Sequence, residues 1–202
     1  NNLAEDETFL FGTEESHGYL SGDFVRDKDA AAAAVLLSEC AAQLKSEGKT
    51  VREYLDNIYR QFGYFHESQK ATYREGAQGN REITQIMIGL RENSPTQIGG
   101  HEVVEVIDYQ SGQAKNLKTG AIRTLDAGKG NVLAFTFTEA GHTRVTARPS
   151  GTEPKIKYYI SATSADHPQL ASNDLVQSKQ NIDSLANEII TGMLEAADQA
   201  LG

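Results

Sequence analysis

Apolar positions change their spacing along this chain, and the change marks its organisation. Residues 8–11, Thr-Phe-Leu-Phe, read as a short buried strand, and 12–22 as a loop. Residues 27–47 read as a helix: five consecutive alanines at 30–34, then Val35, Leu36, Leu37, Cys40 and Leu44, with Gly48 as the stop. A second helix opens on Thr50 and Glu53, the T-x-x-E capping box. Its apolar stripe is Val51, Tyr54, Leu55, Ile58, Tyr59 and Phe62, and Gly63 supplies its C-terminal cap. Residues 64–74 look extended and 80–92 helical, through Ile83, Ile86, Met87 and Leu90, before Pro95 and Gly99-Gly100 break the pattern.

From His101 the texture turns to β. Residues 101–109, 131–138, 143–147 and 155–162 are rich in Val, Ile, Tyr, Phe and Thr. A final helix over about 175–201 carries Ile182, Leu185, Ile189, Met193 and Ala197 on one stripe. The expected class is α+β in two parts, 1–66 and 67–202, the second a run of antiparallel strands between helices.

Composition narrows the function classes. The 202 residues carry 28 acidic and 19 basic side chains, a net charge of −9, which disfavours a nucleic-acid partner because backbone binding needs clustered Lys and Arg. No apolar run approaches the roughly 18–20 residues of a membrane span, so no membrane is expected. The first residues lack the charge and apolar run of a signal peptide, and a lone Cys40 suits a reducing compartment, so the expected location is cytoplasmic.

Against that acidic background, residues 144–157 carry a local charge of +3, from Arg144, Arg148, Lys155 and Lys157 against Glu153. Within them lies Arg148-Pro149-Ser150-Gly151-Thr152-Glu153-Pro154-Lys155, between two expected strands. A phosphate needs several donors converging from a compact turn: Arg148 offers a fork, Ser150 and Thr152 offer hydroxyls, and Gly151 lets amides approach. An ordinary β-turn of Pro, Ser and Gly is the competing reading. Gly12-Thr13-Glu14-Glu15-Ser16-His17-Gly18 follows the first expected strand, and its acids and serine suit the vicinal hydroxyls of a sugar; a solvated acidic loop is the alternative. Asp27 and Asp29 read first as helix caps, with Lys28 able to reach a phosphate or a reacting oxygen. The five histidines are scattered, and no metal site is expected within the chain.

Taken together, these segments resemble the α-D-phosphohexomutase family, in its bacterial phosphoglucomutase/phosphomannomutase branch related to phosphopentomutases. Gly12 to Tyr19 is similar to the family's G-x-E-x-S sugar-binding loop, Phe24 to Ala30 to the segment that follows it, and Arg148 to Tyr159 to its C-terminal phosphate-binding loop. The phosphorylatable T-A-S-H-N-P serine and the D-x-D-x-D-R magnesium loop of that family are absent from the chain, and His17 departs from many relatives. The resemblance implies the end of the family's third domain, an α/β sugar-binding domain, followed by its fourth, which has a TATA-box-binding-protein-like fold without DNA binding.

The resemblance also implies roles. Glu14 and Ser16 would hold ring hydroxyls; Arg148, Ser150, Gly151 and Thr152, with Lys155, would grip the non-reacting phosphate; Lys28 would lie near the reacting oxygen. The partners implied are a phosphorylated sugar and the N-terminal domains of the same polypeptide. Magnesium on the missing phosphoserine and a hexose 1,6-bisphosphate intermediate complete the implied chemistry, so this chain alone is expected to lack turnover. A stand-alone, non-catalytic phosphosugar-binding module is the second reading of the same loops.

Overall fold

In the computed structural model the described residues are 8–13, 18–22 and 29–201, and the chain divides into two compact units, Asn1–Ile58 and Tyr59–Gly202. In the first unit, β1 (Gly12–Thr13) and β2 (Tyr19–Leu20) pair antiparallel, and α1 (Ala30–Ser46) follows. The strand expected at 8–11 is not formed. Leu10 and Phe11 are exposed, and the short hairpin instead occupies part of the stretch expected to be loop. Apolar content without a neighbouring strand to pair with does not make a strand.

Helix α1 starts where the cap reading puts it: the Asp29 carboxylate accepts from the amides of Ala31 and Ala32 at 2.7 and 3.2 Å. Only Leu44 of this helix is buried; Val35, Leu36 and Leu37 are 59%, 44% and 59% exposed. Helix α2 (Val51–Phe62), within which the division between the units falls, has its capping box in place. The Glu53 amide donates to Thr50 Oγ1 at 3.1 Å, and the Thr50 amide donates to the Glu53 carboxylate at 2.8 Å.

The second unit is built on a seven-stranded antiparallel sheet. Its strands are β3 (Phe65–Tyr73), β6 (Glu105–Asp108), β7 (Gln113–Asn116), β8 (Ile122–Thr124), β9 (Leu133–Thr136), β10 (Arg144–Pro149) and β11 (Lys155–Thr163), in spatial order β3-β11-β10-β9-β6-β7-β8. A two-residue hairpin, β4 (Gln97–Ile98) and β5 (His101–Glu102), stands apart. Helices α3 (Gly76–Glu92) and α4 (Leu175–Gln199) supply the apolar cover. Ile83, Ile86, Met87 and Leu90 of α3, with Ile182, Ile189 and Met193 of α4, join Leu133, Phe135, Val145, Ile156, Tyr158 and Ile160 in one core. The α+β class is as expected. The sequence reading missed β7 and β8, whose Gln-Ala-Lys-Asn and Ile-Arg-Thr have too few apolar residues to signal a strand.

Two features pin this unit. The β4–β5 turn lies against α4 at a pair of glycines: a Cβ on Gly192 would stand 2.0 Å from the Gly99 amide nitrogen, and one on Gly99 would stand 2.2 Å from the Glu188 carbonyl. Elsewhere Asp166, with a side chain 2% exposed, accepts from Thr138 Oγ1 at 2.5 Å, the Thr143 amide at 2.8 Å and His142 Nδ1 at 2.8 Å. Burial alone would raise its pKa, but these three donors outweigh burial and hold it below the ordinary carboxylate value.

Gly192→Ala is therefore expected to destabilise the second unit by at least about 3 kcal/mol, read from urea unfolding, because backbone rather than a flexible side chain blocks the new methyl. For Asp166, a lowered folded pKa means stabilisation that is complete above the unfolded value and lost as pH falls through the folded one. Asp166→Asn should cost about 1–3 kcal/mol at pH 7, and its difference from the unsubstituted protein should shrink below pH ~4.

Candidate functional site

Strands β10 and β11 form a hairpin whose register runs from Arg144↔Ser161 to Pro149↔Ile156, leaving residues 150–154 as its turn. Alternation along the strands sends Val145, Ala147, Ile156 and Tyr158 into the core. The same alternation puts Arg144, Arg148, Lys155 and Lys157 on the opposite face. Arg148 stands directly across from Lys157 in this register. Like charges so placed repel each other. Lys157 lies over the Tyr159 ring, 5.7 Å from its centroid, while the exposed Arg148 has no hydrogen-bond or ion-pair partner among the described residues. An anion between them would remove the repulsion and complete the bonding of the guanidinium.

The turn gathers further donors beside this pair. The Ser150 amide donates to the Lys155 carbonyl at 2.9 Å and the Lys155 amide to the Glu153 carbonyl at 2.8 Å, which closes the turn. The amides of Thr152 and Glu153 both point at Ser150 Oγ, at 3.4 and 3.2 Å. Gly151 is exposed, and a Cβ placed on it would meet nothing within 4 Å, so its backbone is open to a ligand.

The turn is tied to the rest of the unit through the last residues of β3, which the sequence reading did not single out. Tyr73 is the register partner of Lys155. The Lys155 ammonium lies 3.4 Å from the Tyr73 hydroxyl, 5.3 Å from its ring centroid, and 2.5 Å from the Glu153 carboxylate. The hydrogen bond to Glu153 raises the Lys155 pKa, so the ammonium is charged throughout the ordinary pH range. One residue on, the Arg74 amide donates to the Pro154 carbonyl at 2.9 Å. The Arg74 guanidinium reaches Asp198 of α4 at 2.5 Å and Glu82 of α3 at 3.5 Å. Gly79 permits this junction, because a Cβ there would stand 1.8 Å from the Arg74 carbonyl oxygen. Residues 64–74 are recognisably extended from sequence alone. What the sequence does not fix is the register that brings Tyr73 and Arg74 to this turn.

Of the residues singled out from the sequence, the hairpin brings together Arg148, Ser150, Gly151, Thr152 and Lys155. Glu14, Ser16, His17 and Lys28 lie outside the described residues; the described neighbours are Gly12–Thr13 and Tyr19–Leu20 of the hairpin and the Asp29 cap. Among the described residues no group of three or more His, Cys, Asp and Glu side chains could hold a metal ion, and no helix is long and apolar enough to cross a membrane.

The family model for phosphoglucomutase/phosphomannomutase, alpha/beta/alpha domain III, matches residues 1–62. A phosphoglucomutase of Staphylococcus epidermidis is 38% identical over 166 residues, covering 82% of this chain and 30% of that protein. These matches support a C-terminal portion of a phosphohexomutase. Phosphoglucomutases of Staphylococcus haemolyticus and Staphylococcus aureus are each 36% identical, over 173 and 169 residues, covering 86% and 84% of the chain. The chain thus spans about 30% of the length of the curated relatives it matches.

Because the two amides that face Ser150 Oγ have no other partner within the turn, Ser150→Ala should leave global stability within about 1 kcal/mol of the original. Hydrogen exchange of the Thr152 and Glu153 amides should nevertheless accelerate in that variant, measured by NMR.

Proposed function

We propose that this chain is the sugar- and phosphate-binding portion of a phosphoglucomutase/phosphomannomutase that interconverts hexose 1-phosphate and hexose 6-phosphate. The observation that carries this reading is the pair Arg148 and Lys157, opposed on one face of the sheet beside a turn rich in amide and hydroxyl donors. Like charges so opposed repel, and with a bound phosphate dianion they become a two-sided clamp. The relatives are phosphoglucomutases, which supports the choice of substrate class.

In this reading Arg148, Ser150, Gly151, Thr152 and Lys155 hold the phosphate that does not react, fixing the far end of the substrate. Glu14 and Ser16 accept from and donate to ring hydroxyls, and Lys28 stabilises charge at the reacting oxygen. Neither the T-A-S-H-N-P serine nor the D-x-D-x-D-R loop occurs in the sequence, so in this reading the metal and the phosphoserine, with the hexose 1,6-bisphosphate, belong to the N-terminal domains of the same polypeptide. The domain boundary falls near residues 66–67, and the compartment is cytoplasmic. Uncovered apolar surface in the first unit, at Leu10, Phe11, Val35, Leu36 and Leu37, supports a further segment of the same polypeptide as its cover.

Arg148→Ala should weaken binding of glucose 1-phosphate to this chain at least tenfold in an NMR titration, as expected for loss of a bidentate charge-assisted contact. The chain alone should give no conversion of glucose 1-phosphate to glucose 6-phosphate in a coupled assay, and joining it to the upstream domains of a relative should restore it. Arg148-independent binding, or turnover by the isolated chain, would sink the proposal.

A further inference from the structure

The phosphate turn carries a carboxylate that its anion-binding role does not require. Glu153 sits within the turn, is half exposed, and bonds Lys155 at 2.5 Å, while the Lys155 side chain is itself only 12% exposed. The two partners differ in how firmly they are held. Lys155 opens β11: its backbone donates to Glu153 and accepts from Ser150, its side chain touches Tyr73, and the preceding carbonyl is bonded by the Arg74 amide. The Glu153 side chain has no described partner other than Lys155. One charge is therefore fixed by several elements, and the other is free to swing into solvent.

We infer that Glu153 is a built-in competitor for the phosphate: in the free turn its carboxylate occupies the Lys155 ammonium, and an arriving phosphate must displace it to gain that contact. This rests on the phosphate-binding reading of the turn. The consequence is a site held below its greatest possible affinity. Arg148 and the turn donors supply the grip, while the lysine exchanges one anion for another at little net gain. A phosphosugar then leaves the site about as readily as it enters, which a binding site that must release one phosphate and accept another requires.

Titration with inorganic phosphate, followed by NMR on the full chain, tests this. Glu153→Gln removes the competing charge and keeps the side-chain volume, and it should tighten phosphate binding about three- to tenfold. In the Glu153→Gln, Lys155→Met double variant the gain should vanish, because no ammonium remains to be released. The Lys155 ammonium resonance should move on phosphate addition in the unsubstituted protein. If Glu153→Gln binds phosphate equally or more weakly while Arg148→Ala still abolishes binding, the competitor role is wrong and the phosphate site stands. If phosphate binding is indifferent to Arg148, the phosphate reading itself fails, and this inference with it. Backbone spectra of each variant check that the hairpin is intact, and the exposed position of Glu153 makes a folding defect in the single variant a result against it.

Discussion

The second unit depends on the pairing of β11. That strand contributes nine register pairs to β3 on one side and six to β10 on the other, and its inward residues Ile156, Tyr158, Ile160 and Ala162 are completely or almost completely buried. The burial is what fixes the register: a slip of one residue would turn those four side chains to solvent and drive Lys155, Lys157 and Tyr159 into the core. The same constraint puts Arg148 opposite Lys157 and Tyr73 opposite Lys155. The cationic face of the turn is thus a by-product of hydrophobic packing on the other side of the sheet.

Much of this was legible in the sequence because the relevant signals are local. The Thr50–Glu53 box, the Asp29 cap, the apolar stripe of α4 and the Val-, Ile- and Tyr-rich strands each act over a few residues, and all appear in the structure. The turn over residues 150–154 was legible for the same reason. The arrangements that were not legible are long-range. Nothing near Tyr73 announces that it will lie beside Lys155, eighty-two residues away, because that contact follows from strand order rather than local pattern. β7 and β8 were missed since two strands at the end of the sheet with one buried residue between them, Ala114, carry almost no periodic signal. The apparent strand at 8–11 failed for the opposite reason: its residues are apolar, yet no partner strand among the described residues lies beside them.

The two units also differ in how completely their apolar residues are covered. In the second, α3 and α4 close over the sheet and leave Ile86, Met87, Leu90, Ile189 and Met193 at most 1% exposed. In the first, α1 keeps Val35, Leu36 and Leu37 in the open; α2, in which the division falls, buries no residue at all, although its sequence is strongly amphipathic. With Val51, Tyr54, Leu55 and Phe62 of its apolar stripe 40–60% exposed, α2 lacks much of the packing that gives helices most of their stability in proteins. The residues with this open surface lie within the 1–62 stretch matched by the alpha/beta/alpha domain III model.

The opposed cations of the β10–β11 hairpin have a practical side as well. Their repulsion is present only in the folded chain, where the register forces Arg148 and Lys157 together; in the unfolded chain they are nine residues apart along a flexible segment. Any multivalent anion that settles between them binds the native state alone and shifts the unfolding equilibrium by mass action. On the proposed phosphate-binding reading, the choice of buffer is part of the thermodynamics: phosphate or sulfate would act as a ligand of the fold, whereas an amine buffer with chloride would leave the hairpin to carry its own charge.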